Sequence, residues 1–180
     1  KINVIILLEV YLVKKKILKF SIACISMMII MCIIFSTVVI NTIVPTGSME
    51  PTLLVNGRFI GNRLAYAFAQ PERYDVVVFE HYGDDKLYVK RIIGLPGDYV
   101  EIKNGLVYVN HEEIDSSFIK EDMLVEKDDF WQVPKDSYFM LGDNRNNSDD
   151  SRRWKSAYVS KSNIVAKLLF QYVPEFTLIK

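Results

Sequence analysis

Three polar clusters in a chain otherwise rich in apolar residues carry side chains capable of nucleophilic chemistry. The densest is Gly142-Asp143-Asn144-Arg145-Asn146-Asn147-Ser148-Asp149-Asp150-Ser151-Arg152, which mixes charged and hydroxyl groups with no apolar period and so suits neither a strand nor a helix. A second, Pro45-Thr46-Gly47-Ser48-Met49-Glu50-Pro51-Thr52, sets a glycine-flanked serine between two prolines whose rings restrict the backbone. A serine held in this way suits a nucleophile, although Gly-Ser-Met alone reads more readily as an ordinary turn. The third is Tyr88-Val89-Lys90-Arg91-Ile92-Ile93-Gly94-Leu95-Pro96-Gly97-Asp98.

A serine nucleophile needs a base. The two histidines are poor candidates, since His81 precedes a Gly-Asp-Asp turn and His111 falls in a hairpin loop, both surface settings. Lys90 is better placed. Strand alternation puts it on one face with Tyr88 and Ile92, apolar neighbours that desolvate an ammonium and lower its pKa toward working pH. Alternation alone equally allows an exposed Lys90 with Leu87 and Val89 in the core. Ser148 could hydrogen-bond the lysine amine, Asp150 could pair with Arg152, and Asp143 with Arg91. The same composition also fits a solvated loop, or a calcium site of Asp143, Asn144, Asp149 and Asp150, against which the interspersed Arg145, Arg152 and Arg153 argue. Asn146-Asn147-Ser148 matches a glycosylation sequon, a short and common pattern.

The elements that must position these clusters are mostly strands. Asp75-Val76-Val77-Val78-Phe79 and Lys86-Leu87-Tyr88-Val89 read as strands, and Asn104-Gly105 joins Tyr99–Lys103 to Leu106–Asn110 as a type I′ hairpin. Pro96-Gly97 marks a turn, His111-Glu112-Glu113 a polar loop, and Ser137–Leu141 a strand running into the polar stretch. Residues 116–133 are charged and weakly periodic, so a small surface insertion at about 111–133 is expected. The fold class read from this pattern is mainly β.

Ahead of the strands, Phe20–Ile40 is a run of 21 residues without a charge, long enough at ~1.5 Å per residue to cross ~30 Å of hydrocarbon as a helix. Expected divisions are a cytoplasmic or interfacial segment at 1–16, a transmembrane helix at 17–41 and an extracytoplasmic domain at 42–180. Lys14, Lys15, Lys16 and Lys19 precede the span and no basic residue follows until Arg58, which places the N-terminus in the cytoplasm. The run exceeds the ~7–15 residues of a signal-peptide core, so the anchor is expected to stay. Beyond Pro45 there are 17 basic and 21 acidic residues, a balance that gives no support to nucleic-acid binding. Both cysteines, Cys24 and Cys32, lie in the span, leaving the following domain without disulfides and without a His/Cys cluster for a metal. No cofactor is implied.

Taken in order behind one anchor, Thr-Gly-Ser-Met-x-Pro-Thr, Lys-Arg-Ile-Ile-Gly-Leu-Pro-Gly-Asp and Gly-Asp-Asn-Arg-x-x-Ser-x-Asp-Ser-Arg resemble the bacterial type I signal peptidases, in the compact form typical of Gram-positive bacteria. The resemblance implies an antiparallel β-sheet catalytic domain behind a single N-terminal transmembrane helix, in the bacterial cell membrane. It implies an endopeptidase that removes signal peptides from exported preproteins after an Ala-x-Ala-like site, near the secretion translocon. Ser48 would be the nucleophile and Lys90 the general base; Ser148 would orient Lys90, with the Asp150–Arg152 pair, Arg91 and Asp143 as support. The oxyanion hole would combine the Ser48 N–H with the hydroxyl of Thr46, a threonine where many relatives have serine. Shallow apolar pockets lined by Val44, Pro45, Met49, Leu53, Tyr88 and Val89 would seat an extended substrate beside the 88–90 strand. Tyr74 stands where the family usually has glycine. Two rivals remain: a self-cleaving Ser-Lys peptidase of the same fold type, which an anchor argues against, and an inactive tethered paralogue that binds peptides.

Overall fold

The computed structural model describes residues 2–81, 83, 86–124 and 127–179, with the side chains of 2–8 left aside. It divides into two compact units, residues 1–38 and 39–180.

The first unit is one helix, α1 (Ile2–Val38). Its Glu9–Val38 portion, 30 residues of mean hydropathy 2.5, is the one segment among the described residues long and apolar enough to cross a membrane. Its few hydroxyls are satisfied within the helix: Ser26 and Ser36 donate to the carbonyls of Ala23 and Ile33, and Thr37 to those of Ile33 and Ile34. In hydrocarbon that back-bonding is what a helical Ser or Thr requires. The helix stops at Val38, three residues before the expected end at 41. Val39 and Ile40 join the next strand instead, because the β-branched run Val38-Val39-Ile40 favours extended backbone once a partner strand is present.

The second unit is antiparallel β. In chain order its strands are β1 (Val39–Ile43), β2 (Arg58–Asn62), β3 (Val76–Glu80), β4 (Leu87–Gly94), β5 (Tyr99–Lys103), β6 (Leu106–Val109), β7 (Glu112–Glu113), β8 (Asp129–Gln132), β9 (Ser137–Leu141), β10 (Tyr158–Ser160), β11 (Ile164–Val173) and β12 (Thr177–Leu178). Among the described residues the large sheet runs β1-β2-β11-β3-β4-β9-β10, with β12 on β11, and a small sheet runs β7-β6-β5-β8.

Alternation decides which side chains meet. On β3, Val76 and Val78 pack with Ile40, Val44, Met49, Leu53, Phe59 and Leu168, while Val77 and Phe79 face the opposite cluster with Ile92, Tyr138 and Met140. Both faces being covered, β3 has no polar alternation, and its sequence reads as a continuous apolar run. On β9, Tyr138 and Met140 join that second cluster, whereas Phe139 and Leu141 turn toward the small sheet and its Val100, Ile102, Val107 and Val109. The Asn104-Gly105 hairpin forms as expected, with φ of +51° and +79°, the left-handed pair that a type I′ turn demands.

Two expectations change. The polar loop at 111–113 contains a short strand, β7, paired with β6. The segment expected as a surface insertion is also integral: β8 pairs with β5, and Ile114, Met123 and Val133 are buried in the core between the sheets. Its charges conceal widely spaced apolar anchors, so no period shows in the sequence; Val125 and Glu126 of this segment lie outside the described residues.

Candidate active site

Ser48 sits in a single 3-10 turn, Gly47–Met49, and is 7% exposed. The turn follows β1 and is gripped from the polar stretch. Asn144 donates its backbone N–H to the Ser48 carbonyl (3.1 Å) and its Nδ2 to the Gly47 carbonyl (2.9 Å). Gly142 permits this approach, since a Cβ there would stand 2.4 Å from the Ser48 carbonyl oxygen and 2.2 Å from Ser148 Oγ. Met49 and Leu53 anchor the segment from below, both fully buried in the core. They therefore support the site from beneath, and the expected pocket wall at these two positions is instead core.

Lys90 is 4% exposed, and its Nζ lies 2.6 Å from Ser48 Oγ. Opposite it on β3 is the fully buried Val77. Burial lowers the Lys90 pKa to about 8; Asp150, Asp149 and Asp143 pull it back up, and Arg152 pushes it further down. Desolvation outweighs the carboxylates because two of them are already engaged. Asp143 receives Arg91 through Nε (2.9 Å) and Nη2 (2.7 Å), a fully buried bidentate pair. Asp150 receives Arg152 through Nε and Nη2, both 2.8 Å, and its Oδ2 also accepts the Gly142 N–H.

The sequence clusters thus come together in space. Arg91 continues through Nη1 to the Tyr74 carbonyl (2.7 Å), and its guanidinium stacks 4.2 Å over Phe118. Thr52 donates to Asp143 Oδ2 at 2.5 Å. Arg152 reaches the Arg145 carbonyl, and Arg145 Nε the Gly142 carbonyl, closing the polar stretch on itself. Burial brings the Arg145 pKa down to about 10, so it remains charged at neutral pH. Ser148 is buried in the same cluster, but among the described residues its Oγ has no hydrogen-bond partner. Thr46 Oγ1 lies 3.4 Å from Ser48 Oγ. With both ion pairs closed, Asp143 and Asp150 hold arginines rather than a cation.

A groove of about 380 Å³ opens above the serine and lysine, walled by residues 42–48 on one side and 86–90 on the other, with Asn147 and Asp149 at one end. Val44, Pro45, Tyr88 and Val89 all line it. β9 pairs with β4 at Arg91, Ile92 and Gly94, and the Leu87–Lys90 half of β4 forms one wall of this groove.

Sequence reasoning missed Asn144 as a clamp on the nucleophile turn and Thr52 as a partner of Asp143. Both stand inside quoted clusters, but nothing in their spacing distinguishes a ligand of the backbone from a loop residue. Tyr74 has φ +75°, a left-handed backbone that costs a non-glycine residue about 1–2 kcal/mol. Its ring is held edge-on to Phe118, with centroids 5.6 Å apart.

Fold and site define a class: an antiparallel β domain behind an apolar helix, with a serine in contact with a buried lysine at the foot of a strand-edged groove. The chain belongs to the signal peptidase family, peptidase S26, whose family model matches residues 16–173. It is 39% identical over 137 residues to a probable signal peptidase I-2 of Synechocystis, covering 73% of this chain and 62% of that one, so it spans less than two thirds of that relative. It is 35% identical to signal peptidase I S of Bacillus subtilis, over 89% of this chain and 91% of the relative. A solved structure of a signal peptidase I from Enterococcus faecalis aligns with 54% of this chain and 96% of its own, at 27% identity and a TM-score of 0.47.

Proposed function

We propose that this protein is a membrane-anchored serine endopeptidase that removes signal peptides from exported preproteins by a Ser48–Lys90 acyl-enzyme mechanism. The observation that carries the reading is the 2.6 Å contact between Ser48 Oγ and a buried Lys90 Nζ at the foot of the groove, in a chain of the signal peptidase family.

The chemistry follows from that contact. When the amine is neutral, the same line carries the Ser48 proton to Lys90 as Oγ attacks the scissile carbonyl. Negative charge then develops on the carbonyl oxygen, where the Ser48 N–H and the Thr46 hydroxyl serve as donors. The Lys90 ammonium returns its proton to the leaving amine. Neutral again, it draws a proton from the water that hydrolyses the acyl-enzyme. The substrate lies extended in the groove beside the Tyr88–Lys90 strand. Apolar walls at Val44, Pro45, Tyr88 and Val89 then favour small residues before the cut, as in Ala-x-Ala. The lysines before the span orient α1 with its N-terminus in the cytoplasm and the β domain outside the bacterial membrane, close to where the translocon delivers substrate.

The test is cleavage of a preprotein bearing Ala-x-Ala, in detergent and lipid, by the intact chain and by Ser48→Ala and Lys90→Met. Cutting after the second alanine by the wild type alone is expected. A well-folded wild type that leaves the preprotein intact would favour the peptide-binding paralogue.

A further inference from the structure

We infer that Asp149 reads the charge of the two residues that follow the cut, favouring basic side chains there and disfavouring acidic ones. The inference rests on the peptidase reading above and concerns a part of the substrate which that reading leaves open.

Three aspartates lie around Lys90, and they are not alike. Asp143 is paired with Arg91 and Asp150 with Arg152, and both carboxylates are fully buried. Asp149 is exposed, and among the described residues no cationic side chain forms a salt bridge with it. Its backbone is nevertheless held. Ser148 and Asp150 on either side are buried, the Asp150 carbonyl accepts the N–H groups of Arg153 (2.8 Å) and Trp154 (3.2 Å), and the Asp150 carboxylate takes the Gly142 N–H (3.0 Å). Ser148 is extended, at φ −134° and ψ 126°, so with its two neighbours turned inward Asp149 faces out. The residue so presented lines the groove.

An unpaired carboxylate in this place works against the proton transfer. Asp149 pulls the Lys90 pKa up, whereas the base must be neutral to accept the Ser48 proton. The chemistry at Ser48 has no use for such a charge; a cationic substrate does. Position decides which part of the substrate meets it. From Lys90 one wall of the groove runs back to Lys86, about 13 Å of extended chain, and the facing wall runs back from Thr46 to Thr42. Val44, Pro45, Tyr88 and Val89 all lie on that length, which the residues before the cut fill. Asp149 stands at the other end, beside the nucleophile and base, where the chain that follows the cut departs. A single exposed ion pair there is worth about two- to fivefold in selectivity.

The experiment uses the full chain in detergent and three peptides with the same Ala-x-Ala segment, differing only in the two residues after the second alanine: Lys-Lys, Gln-Gln or Glu-Glu. For the wild type, kcat/KM is expected to fall in that order, by about two- to fivefold between Lys-Lys and Gln-Gln. In about 1 M salt, where the screening length shrinks to about 3 Å, the order should flatten. Asp149→Asn should level the three peptides and Asp149→Lys should reverse them. Comparing peptides within one variant cancels any change that the substitution makes in Lys90 itself. The domain beyond Pro45 is acidic overall, so Glu113→Gln, an exposed charge on β7 outside the groove, serves as the control and should keep the wild-type order. An order that survives Asp149→Asn, or that Glu113→Gln abolishes equally, overturns the inference. Binding of the same labelled peptides to Ser48→Ala, read by fluorescence anisotropy, needs no turnover. Equal affinity for Lys-Lys and Glu-Glu peptides also overturns it, whereas a Lys-Lys preference in binding with no cutting by the wild type would sustain it and sink the peptidase reading instead.

Discussion

Replacing Lys90 by methionine should remove activity and make the protein more stable at neutral pH. The lysine keeps a nearly fully buried amine whose pKa falls from 10.5 to about 8. At about 1.4 kcal/mol per pH unit, holding it protonated costs the folded state about 3 kcal/mol at pH 7. The hydrogen bond to Ser48 is lost in the variant, an offset of about 1 kcal/mol. Lys90→Met should therefore gain about 2 kcal/mol in denaturant unfolding followed through Trp131 and Trp154. The sign sets the pH window. The folded state binds the proton more weakly than the unfolded state, so the penalty is complete below pH 8, fades between about 8 and 10.5, and is gone above. The advantage of the variant should shrink over that same interval. In the wild type, kcat/KM should climb about tenfold per pH unit below 8 and level off above it, because only the neutral amine can accept the Ser48 proton. A variant less stable than wild type at pH 7, or a rate still rising steeply past pH 10, would refute the claim that burial sets the state of Lys90.

Thr46→Val should lower kcat by about 10²-fold with little change in KM, and Thr46→Ser should restore it, because a hydroxyl donor and not a methyl group is what the oxyanion position needs; equal rates for Val and Ser would remove Thr46 from the mechanism. Asp150→Ala leaves the partly buried Arg152 without its bidentate partner and should destabilise by about 3 kcal/mol in denaturant unfolding. Gly142→Ala forces a methyl group to within 2.4 Å of the Ser48 carbonyl oxygen and should displace the nucleophile turn, reducing kcat far more than it reduces the melting temperature. Asn144→Ala, which frees the Gly47 carbonyl, should lower kcat and leave substrate affinity nearly intact in steady-state kinetics.

The long apolar run, the type I′ hairpin and the strands at β3, β4, β5 and β9 were legible because each announces itself locally, by length, by a turn pair or by a run of β-branched residues. β1, β2, β7, β8, β10, β11 and β12 were not anticipated. β1 follows directly on a helix of the same composition, and the helix-to-strand change at Val38 is decided by a partner, β2, about twenty residues later. β11 mixes Lys167 and Gln171 into its apolar pattern and carries register shifts against both neighbours, which breaks strict alternation. The residues of the site were visible as three clusters, yet their convergence depends on sheet order, and pairings such as Asn144 with the Ser48 turn exist only once β4 and β9 lie side by side. Tyr74 illustrates the limit from the other direction: its sequence context showed a departure, but the left-handed φ that gives the departure its meaning is a property of the folded turn.

The two arginine–carboxylate pairs also have an electrical role that their structural one conceals. A lysine base needs burial to lose its proton, and three aspartates near Lys90 would defeat burial by holding the ammonium in place. The site keeps the aspartates for their geometry, since Asp150 fixes the Gly142 N–H and Asp143 fixes Arg91, but it presents two of them already paired with Arg152 and Arg91. An approaching field of carboxylates is thereby reduced to near-neutral pairs, and Arg152 adds a push in the direction of deprotonation. Desolvation is left as the dominant influence on the amine. On this account Arg152 matters to catalysis through the charge it cancels as much as through the loop it holds, and exchanging it for a neutral hydrogen-bond donor would return Lys90 toward its protonated, inactive form.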